Sequence, residues 1–317
     1  MFDLYGKRFW LFGLSILVIL AGVVGYFVNG GFNLDIQFEG GSIVSLQMED
    51  GNFDTAKAEE EVSKAINKKV TAQKSETAAS EGKEKIYMLV LNVAEKKQSL
   101  STEELTKVVD TVSKSFNIKK DAQPEIRNVS PFIGEELLRS AIWSIIIVSI
   151  LIILYIWFRF RTMSSGGPSA GVFGVVGLIH DALVMISVYA IFNIPVNESF
   201  IAAILTILGY SINDTIIIYD RIRENSKLSR KTPLPELANK SIIQTLRRTV
   251  NTTVTVLISV ITVYAFAVYY NIDSVRIFTF PLIIGMISGC YSSICIVSPL
   301  WVMWKQHQSK KPTVSKA

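Results

Sequence analysis

Histidine and cysteine are nearly absent from this chain, with two of each in 317 residues. His180 and His307 are the only histidines, and His307 lies in the C-terminal tail, so a histidine-built metal centre is excluded. Cys290 and Cys295 both fall inside one apolar run, and residues 29–138 contain no cysteine, so there is no external disulfide framework. Charge is also scarce. Only 19% of residues are Asp, Glu, Lys or Arg, whereas 50% are hydrophobic, and the mean hydropathy of +0.37 is too high for an ordinary soluble domain. No nucleotide-binding glycine loop, nucleophile triad or metal cluster is present, so the chain does not read as an enzyme. The net charge of +5 does not call for nucleic acid, because a basic excess is expected on the cytoplasmic loops of a membrane protein.

What the chain has is long uncharged runs. Six reach the length of a membrane span, about 18 residues or more: roughly 9–28, 139–158, 169–192, 199–219, 245–268 and 277–304. The first follows Lys7 and Arg8, but no small-residue cleavage site clearly follows it, so it reads as a retained anchor. Basic residues then set the orientation. Lys7 and Arg8, Arg159 and Arg161, the set Arg221, Arg223, Lys227, Arg230, Lys231 and Lys240, and Lys305, Lys310, Lys311 and Lys316 all fall on one side. The opposite short loops, near 193–198 and 269–276, hold only Arg276. Both termini are therefore expected in the cytoplasm and the lipid bilayer between them and the 29–138 block.

That block is polar and rich in Lys and Glu. Residues 42–48 alternate apolar and polar and read as a strand, 53–67 have helical spacing, and 69–75 and 85–93 are strand-like. Residues 101–116 form a helix opened by a capping box, Ser101 with Glu104 three residues on. Residues 124–129 supply a last strand. The order β-α-β-β-α-β suggests a ferredoxin-like α+β unit.

A charge at membrane depth costs several kcal/mol (about 2.5–3.5 on insertion scales), so ionisable residues inside spans are functional candidates. His180 and Asp181 lie about 11 residues into span three, roughly 16 Å deep. Asn213 and Asp214 lie in span four, Asp214 six residues before Asp220. Arg247 and Arg248 open span five. Asp214 and Arg248 are placed at a matched depth of roughly 9–12 Å, where opposite charges on consecutive antiparallel helices can pair. Arg247 reads more simply as a snorkelling interface residue, and Asp220 with Arg221 as an anchor at the membrane edge. Gly171, Gly174, Gly177, Gly209, Gly285 and Gly289 read as sites of close helix packing.

AAILTILGYSINDTIIIYDRIREN at 202–225 resembles the signature of the SecF family almost letter for letter. FNLDIQFEGGS at 32–42 is similar to the family's segment after span one, departing from it at Gln37 and Glu39. VSPFIGEELLRSA at 129–141, His180 with Asp181, QTLRRTVNTT at 244–253 and GMISGCYSSICIVSPLW at 285–301 follow in family order.

The resemblance implies an α-helical polytopic membrane protein with six transmembrane helices and one extracytoplasmic α+β, ferredoxin-like domain between the first and second spans. The divisions are 1–28 for the N-terminus and first helix, 29–138 for the external domain, 139–304 for the other five helices and 305–317 for the tail. It implies a partner of SecD that assists the SecYEG channel, with SecA, YajC and YidC as further candidates. The driving force is a proton or sodium gradient and the cargo a translocating polypeptide, with no bound cofactor, metal or nucleic acid. Asp214 and Arg248 match the family's proton path, with Asn213, Asp181 and His180 beside them. Gly40, Gly41, Gly209, Tyr210, Asp220 and Arg221 match structural motif positions. The alternatives are half of a cation-driven small-molecule exporter of the same superfamily, and a receptor with an external sensing domain.

Overall fold

The computed structural model describes residues 3–77, 86–94, 100–119, 123–129, 131–160, 168–229, 231–270 and 272–310. Arg161, Arg230, Lys311 and Lys316, which contributed to the charge bias, lie outside the described residues, as do residue 85 and the end of the tail. Helix α1 (Arg8–Val28) is a single apolar rod closed by Asn29. The short helix α2 (Ile36–Glu39) was not anticipated from sequence. The Asp35 carboxylate accepts from the backbone N of Ile36, and the helix ends at Gly40, whose φ of 78° favours glycine. Gly41 also has positive φ, 143°, so the paired glycines turn the chain from α2 into the sheet.

Six elements follow in the order β-α-β-β-α-β: β1 (Gly41–Met48), α3 (Thr55–Ile66), β2 (Val70–Thr77), β3 (Ile86–Ala94), α4 (Thr102–Ser115) and β4 (Glu125–Val129). The sheet order is β2-β3-β1-β4 and every neighbouring pair is antiparallel. Alternation in β1 sends Val44, Leu46 and Met48 into a core shared with Leu89, Leu91 and Val93 of β3, Val62 of α3, and Val108 and Val112 of α4. Asp54 caps α3. Ser101 and Glu104 form the expected capping box, and Glu104 also pairs with Lys68 at 2.6 Å. Those two bonds, despite a small opposing cost of burial, hold its carboxyl down at about 2.

Six further helices follow among the described residues: α5 (Pro131–Phe160), α6 (Pro168–Ile191), α7 (Glu198–Leu228), α8 (Leu234–Tyr269), α9 (Asp273–Ser292) and α10 (Ser298–Lys310), the last two joined by a π-helical turn at Ser293–Val297. Among the described residues six helical stretches are long and apolar enough to cross a membrane, the last being Asp273–Gln308. The runs expected from sequence lie on these helices, but α7 and α8 extend well past them. Residues 221–228 and 234–244, read as a basic loop, are instead helical. Arg221 bonds to Gln244 at 2.7 Å, and Asn225 to Ser241 and Gln244 at 2.8 Å each, so the two helices run on as a stitched hairpin.

α6, α7 and α9 form the buried centre, while α1, α5 and α8 turn broad faces outward. The close-packing reading of the glycines holds at five positions. A Cβ on Gly171 would meet Ile153 O at 3.0 Å, one on Gly174 Ile156 Cδ1 at 3.1 Å, one on Gly285 Ile207 at 2.5 Å and one on Gly289 Ser211 at 2.9 Å, while Gly177 faces Val297. It fails at Gly209, which is exposed and has nothing within 4 Å of its Cβ position.

The two ends of the bundle differ. At one, Leu4 N donates to Asn239 and the Tyr5 hydroxyl to Gln306, drawing together both described ends of the chain. At the other, Asp35 N donates to Val196 O at 2.9 Å and Asn29 Nδ2 to Ala190 O at 2.8 Å, seating the sheet unit on the α6–α7 connection.

Candidate functional site: two buried carboxylates

The aspartates of α6 and α7 are both buried, in opposite ways. Asp181 is fully buried. Its Oδ2 accepts from Ser211 Oγ at 2.6 Å and Ser292 Oγ at 2.9 Å, and its Oδ1 from Ser288 Oγ at 2.7 Å. His180 Nδ1 lies 3.2 Å from Oδ1. Hydrogen bonds to a charged group are worth roughly 1.5–3 kcal/mol each, so α6, α7 and α9 are joined at one carboxylate. The other ring nitrogen of His180 is 2.9 Å from Ser15 Oγ on α1, which adds a fourth helix.

Asp214 lies a turn further along α7 than Ser211 and is 1% exposed. Its side chain interacts with Thr253 of α8, whose hydroxyl also receives the Tyr210 hydroxyl at 3.5 Å, but Oδ2 is buried with no hydrogen-bond partner. The buried Thr249 hydroxyl on the facing side of α8 is also unpartnered. Buried polar atoms of this kind are rare and mark sites of function or exchange. The α9 segment between the two sites serves both: Ser288 and Ser292 turn to Asp181, and Cys290 lies near Thr253 and Asp214.

The expected Asp214–Arg248 ion pair is not formed. Arg247 and Arg248 are both exposed on α8, and Thr253 occupies the position against Asp214 instead. Matched depth had fixed the height of Arg248 but not its azimuth on the helix. Arg248 opens an outward stripe at helical spacing, Arg248, Asn251, Thr255, Ser259 and Thr262, all exposed. Thr255, Ser259 and Thr262 bond back to carbonyls of their own helix, which satisfies the hydroxyls without a partner helix. On α7, Thr206, Gly209 and Asn213 are likewise exposed. Asn213 therefore faces outward, separated from its neighbour Asp214 by the helical twist.

Asp220 lies within α7, just past the apolar run expected at 199–219. It pairs with Arg159 of α5 at 2.7 Å and with Arg223 at 2.9 Å, while Arg221 pairs with Glu224. Sequence reasoning missed the serine cage. Ser211 precedes Asp214 by three residues, and Ser288 and Ser292 are four apart, but nothing in those spacings says that both sets converge on α6. Gln37, singled out from sequence only as a departure from a motif, accepts at its side chain from the backbone N of Glu198 at 3.3 Å at the start of α7.

Comparison with known proteins gives a consistent result. Residues 108–307 match the family described as protein export membrane protein SecD/SecF, C-terminal. The chain is 33% identical to the protein translocase subunit SecF of Alicyclobacillus acidocaldarius, with 98% of this chain and 96% of that protein aligned. It is 32% identical to the SecF subunit of Petrotoga mobilis, with 97% of each covered. The crystal structure of SecDF, a translocon-associated membrane protein from Thermus thermophilus, superposes with a TM-score of 0.73 at 30% identity, covering 96% of this chain and 39% of that one.

Proposed function

We propose, from the premise that this chain belongs to the SecD/SecF family of protein-export membrane proteins, that Asp214 is the group through which an ion gradient drives its work. The chain is an auxiliary subunit of Sec protein translocation and a multi-pass membrane protein, and it associates with SecD. The observation that carries the proposal is the unpartnered Oδ2 of Asp214, buried at membrane depth between α7 and α8. A carboxylate held without a full set of donors is poised to exchange a proton or a small cation, whereas a fully bonded one is not.

Arg248 and Asn213 act in this reading from the outward face. The polar stripe of α8 and the strip at Thr206, Gly209 and Asn213 on α7 form the surface that receives SecD. Bringing the spans of SecD against that surface encloses Arg248 near Asp214, and the two charges then respond to each other's environment. The support is physical: an arginine, an asparagine and a run of hydroxyls at membrane depth need a protein neighbour more than lipid.

We read the sheet unit as an extracytoplasmic ferredoxin-like domain, supported by its element order and its antiparallel β2-β3-β1-β4 arrangement. Both termini then lie in the cytoplasm and the membrane is the cytoplasmic membrane, in keeping with the basic residues gathered at that end. SecYEG with SecA is the channel served, YajC and YidC further neighbours, and an emerging polypeptide the cargo. The test is export by membrane vesicles carrying Asp214→Asn, with and without an imposed gradient. Gradient-stimulated export is expected to fall to the unstimulated level while SecD still co-purifies, and full stimulation would overturn the assignment.

A further inference from the structure

Helix α1 is fastened to the bundle at two heights and stands off it between them. Near its C-terminal end, a Cβ on Gly22 would strike Ser187 of α6 and one on Gly25 would come to 2.9 Å from the Ile191 Cα, so the two backbones run in contact. Near its N-terminal end, the Leu11 carbonyl accepts from the Tyr291 hydroxyl at 2.6 Å, which ties α1 to α9. Leu14 and Val18 lie between those fastenings, four apart and so on one side of the helix. With Ile284, Ile287 and Tyr291 of α9 they line a groove of about 330 Å³, closed on the α6 side by Val184 and His180. Nothing from α6 fills it. Val184 is short, and the His180 ring is held between Ser15 Oγ at 2.9 Å and Asp181 at 3.2 Å. The mouth is apolar, with Leu14 53% and Ile287 56% exposed. The lining hydroxyls are already spent, Ser15 on His180, Ser288 on Asp181 and Tyr291 on Leu11.

We propose that this groove is a binding site for one acyl chain of a membrane phospholipid, held against the bundle longer than the lipid that merely surrounds it. Its height decides the class of occupant. Leu14, His180 and Ile287 lie well inside the membrane-crossing stretches Arg8–Val28, Ser169–Ile191 and Asp273–Gln308, so what reaches the mouth is hydrocarbon. A dry gap there forfeits dispersion contacts along its whole lining, and its volume falls in the range of small-ligand pockets, about 300–1,000 Å³. From Ile284 to Tyr291 the α9 wall rises roughly 10 Å, a length that part of an alkyl chain covers lying along the helix. A transmembrane helix, about 10–12 Å across with its side chains, is too thick to enter. None of the polar residues on α7 and α8 assigned above to SecD lines the groove. A seated chain covers the His180 ring and Ser288, and so closes the Asp181 cage on its lipid side. The site is separate from Asp214 and stands whether or not Asp214 couples the gradient.

The test uses the full chain with SecD in phospholipid bilayers that carry a trace of phosphatidylglycerol with a diazirine at the middle of one acyl chain. Residues labelled on irradiation are mapped by mass spectrometry. Leu14, Val18 and Ile287 are expected to take several-fold more label than Ile147 and Leu151 of α5, which are 52% and 59% exposed inside another membrane-crossing stretch. Equal labelling would reduce the groove to ordinary boundary-lipid contact and overturn the proposal. Labelling of α5 with none in the groove would also overturn it, as the mark of a protein partner seated there. Val184→Phe places a ring in the groove from the α6 side. It should bring Leu14 and Ile287 down to the α5 level and leave α5 labelling unchanged, and undiminished labelling in the assembled variant would overturn the proposal. If the variant does not assemble, the comparison within the parent chain decides alone.

Discussion

Asp181 and Asp214 sit on adjacent central helices, both at least 99% buried, yet one is surrounded by donors and the other is short of them. Asp181 ties α6 to α7 and α9 through three serine hydroxyls and reaches α1 through His180. Asp214 has Thr253 on one side and an orphaned oxygen on the other. Burial alone therefore does not identify the exchanging group. On the reading proposed for Asp214 the number of donors does, because a satisfied carboxylate is part of the scaffold and an unsatisfied one has a reason to change its state.

The largest effect should come from removing the two carboxylates in turn. Asp181→Ala strands three hydroxyls and a histidine in the bundle and should destabilise the chain by about 3–5 kcal/mol, read as loss of folded protein in detergent on heating. Asp214→Ala removes a group whose second oxygen is already unpaired, so its folding cost should stay below about 1 kcal/mol while export stimulation is lost. Equal destabilisation by both would erase the distinction between scaffold and exchanger.

A second contrast uses two glycines on the same central pair of helices. Gly289 of α9 touches Ser211, and a Cβ there would come to 2.9 Å from that side chain. Gly289→Leu should cost about 1–3 kcal/mol through overpacking and loosen the Asp181 cage. Gly209 of α7 has open space around it, so Gly209→Leu should leave the isolated chain as stable as before. If that strip receives SecD, the same substitution should lower the amount of SecD that co-purifies. Unchanged recovery of SecD would move the docking surface elsewhere.

Sequence reasoning placed the spans because length and hydropathy are local properties. It placed the sheet elements because alternation in β1 and the Ser101–Glu104 box are written in adjacent residues. It also found Asp181 and Asp214, since an acid in an apolar run is visible without a fold. It could not see which acid is satisfied. Ser211, Ser288 and Ser292 come from two helices about 80 residues apart in the chain, and their convergence is set by the way α7 and α9 pack. Arg248 shows the same limit. The 1.5 Å rise gives its depth, but only packing decides that Thr253 faces Asp214 while Arg248 looks outward. Helix α2 escaped notice because four residues give no period to count.

The smallest expected effect lies outside the bundle, where water supplies what the serines supply to Asp181. Glu104 closes the capping box with Ser101 and pairs with Lys68, and its folded value of about 2 is below the ordinary carboxylate range. The sign follows from the linkage between protonation and folding. A carboxylate depressed by folding contributes stability that is fully present above its unfolded value, about 4.3, and is lost as pH falls through about 2. Glu104→Gln keeps the box, since Gln also serves at that position, and removes only the charge. The substitution should cost less than about 1 kcal/mol at pH 7, in line with other partly exposed ion pairs. Hydrogen exchange of the α4 amides in the full chain, followed from pH 7 to pH 2, should show the variant and the parent converging as the acid range is reached. Parallel curves across that range would mean that Glu104 titrates no differently in the folded and unfolded states. A carboxylate with hydroxyl and cation donors in water would then carry little of the weight that three hydroxyls carry at Asp181.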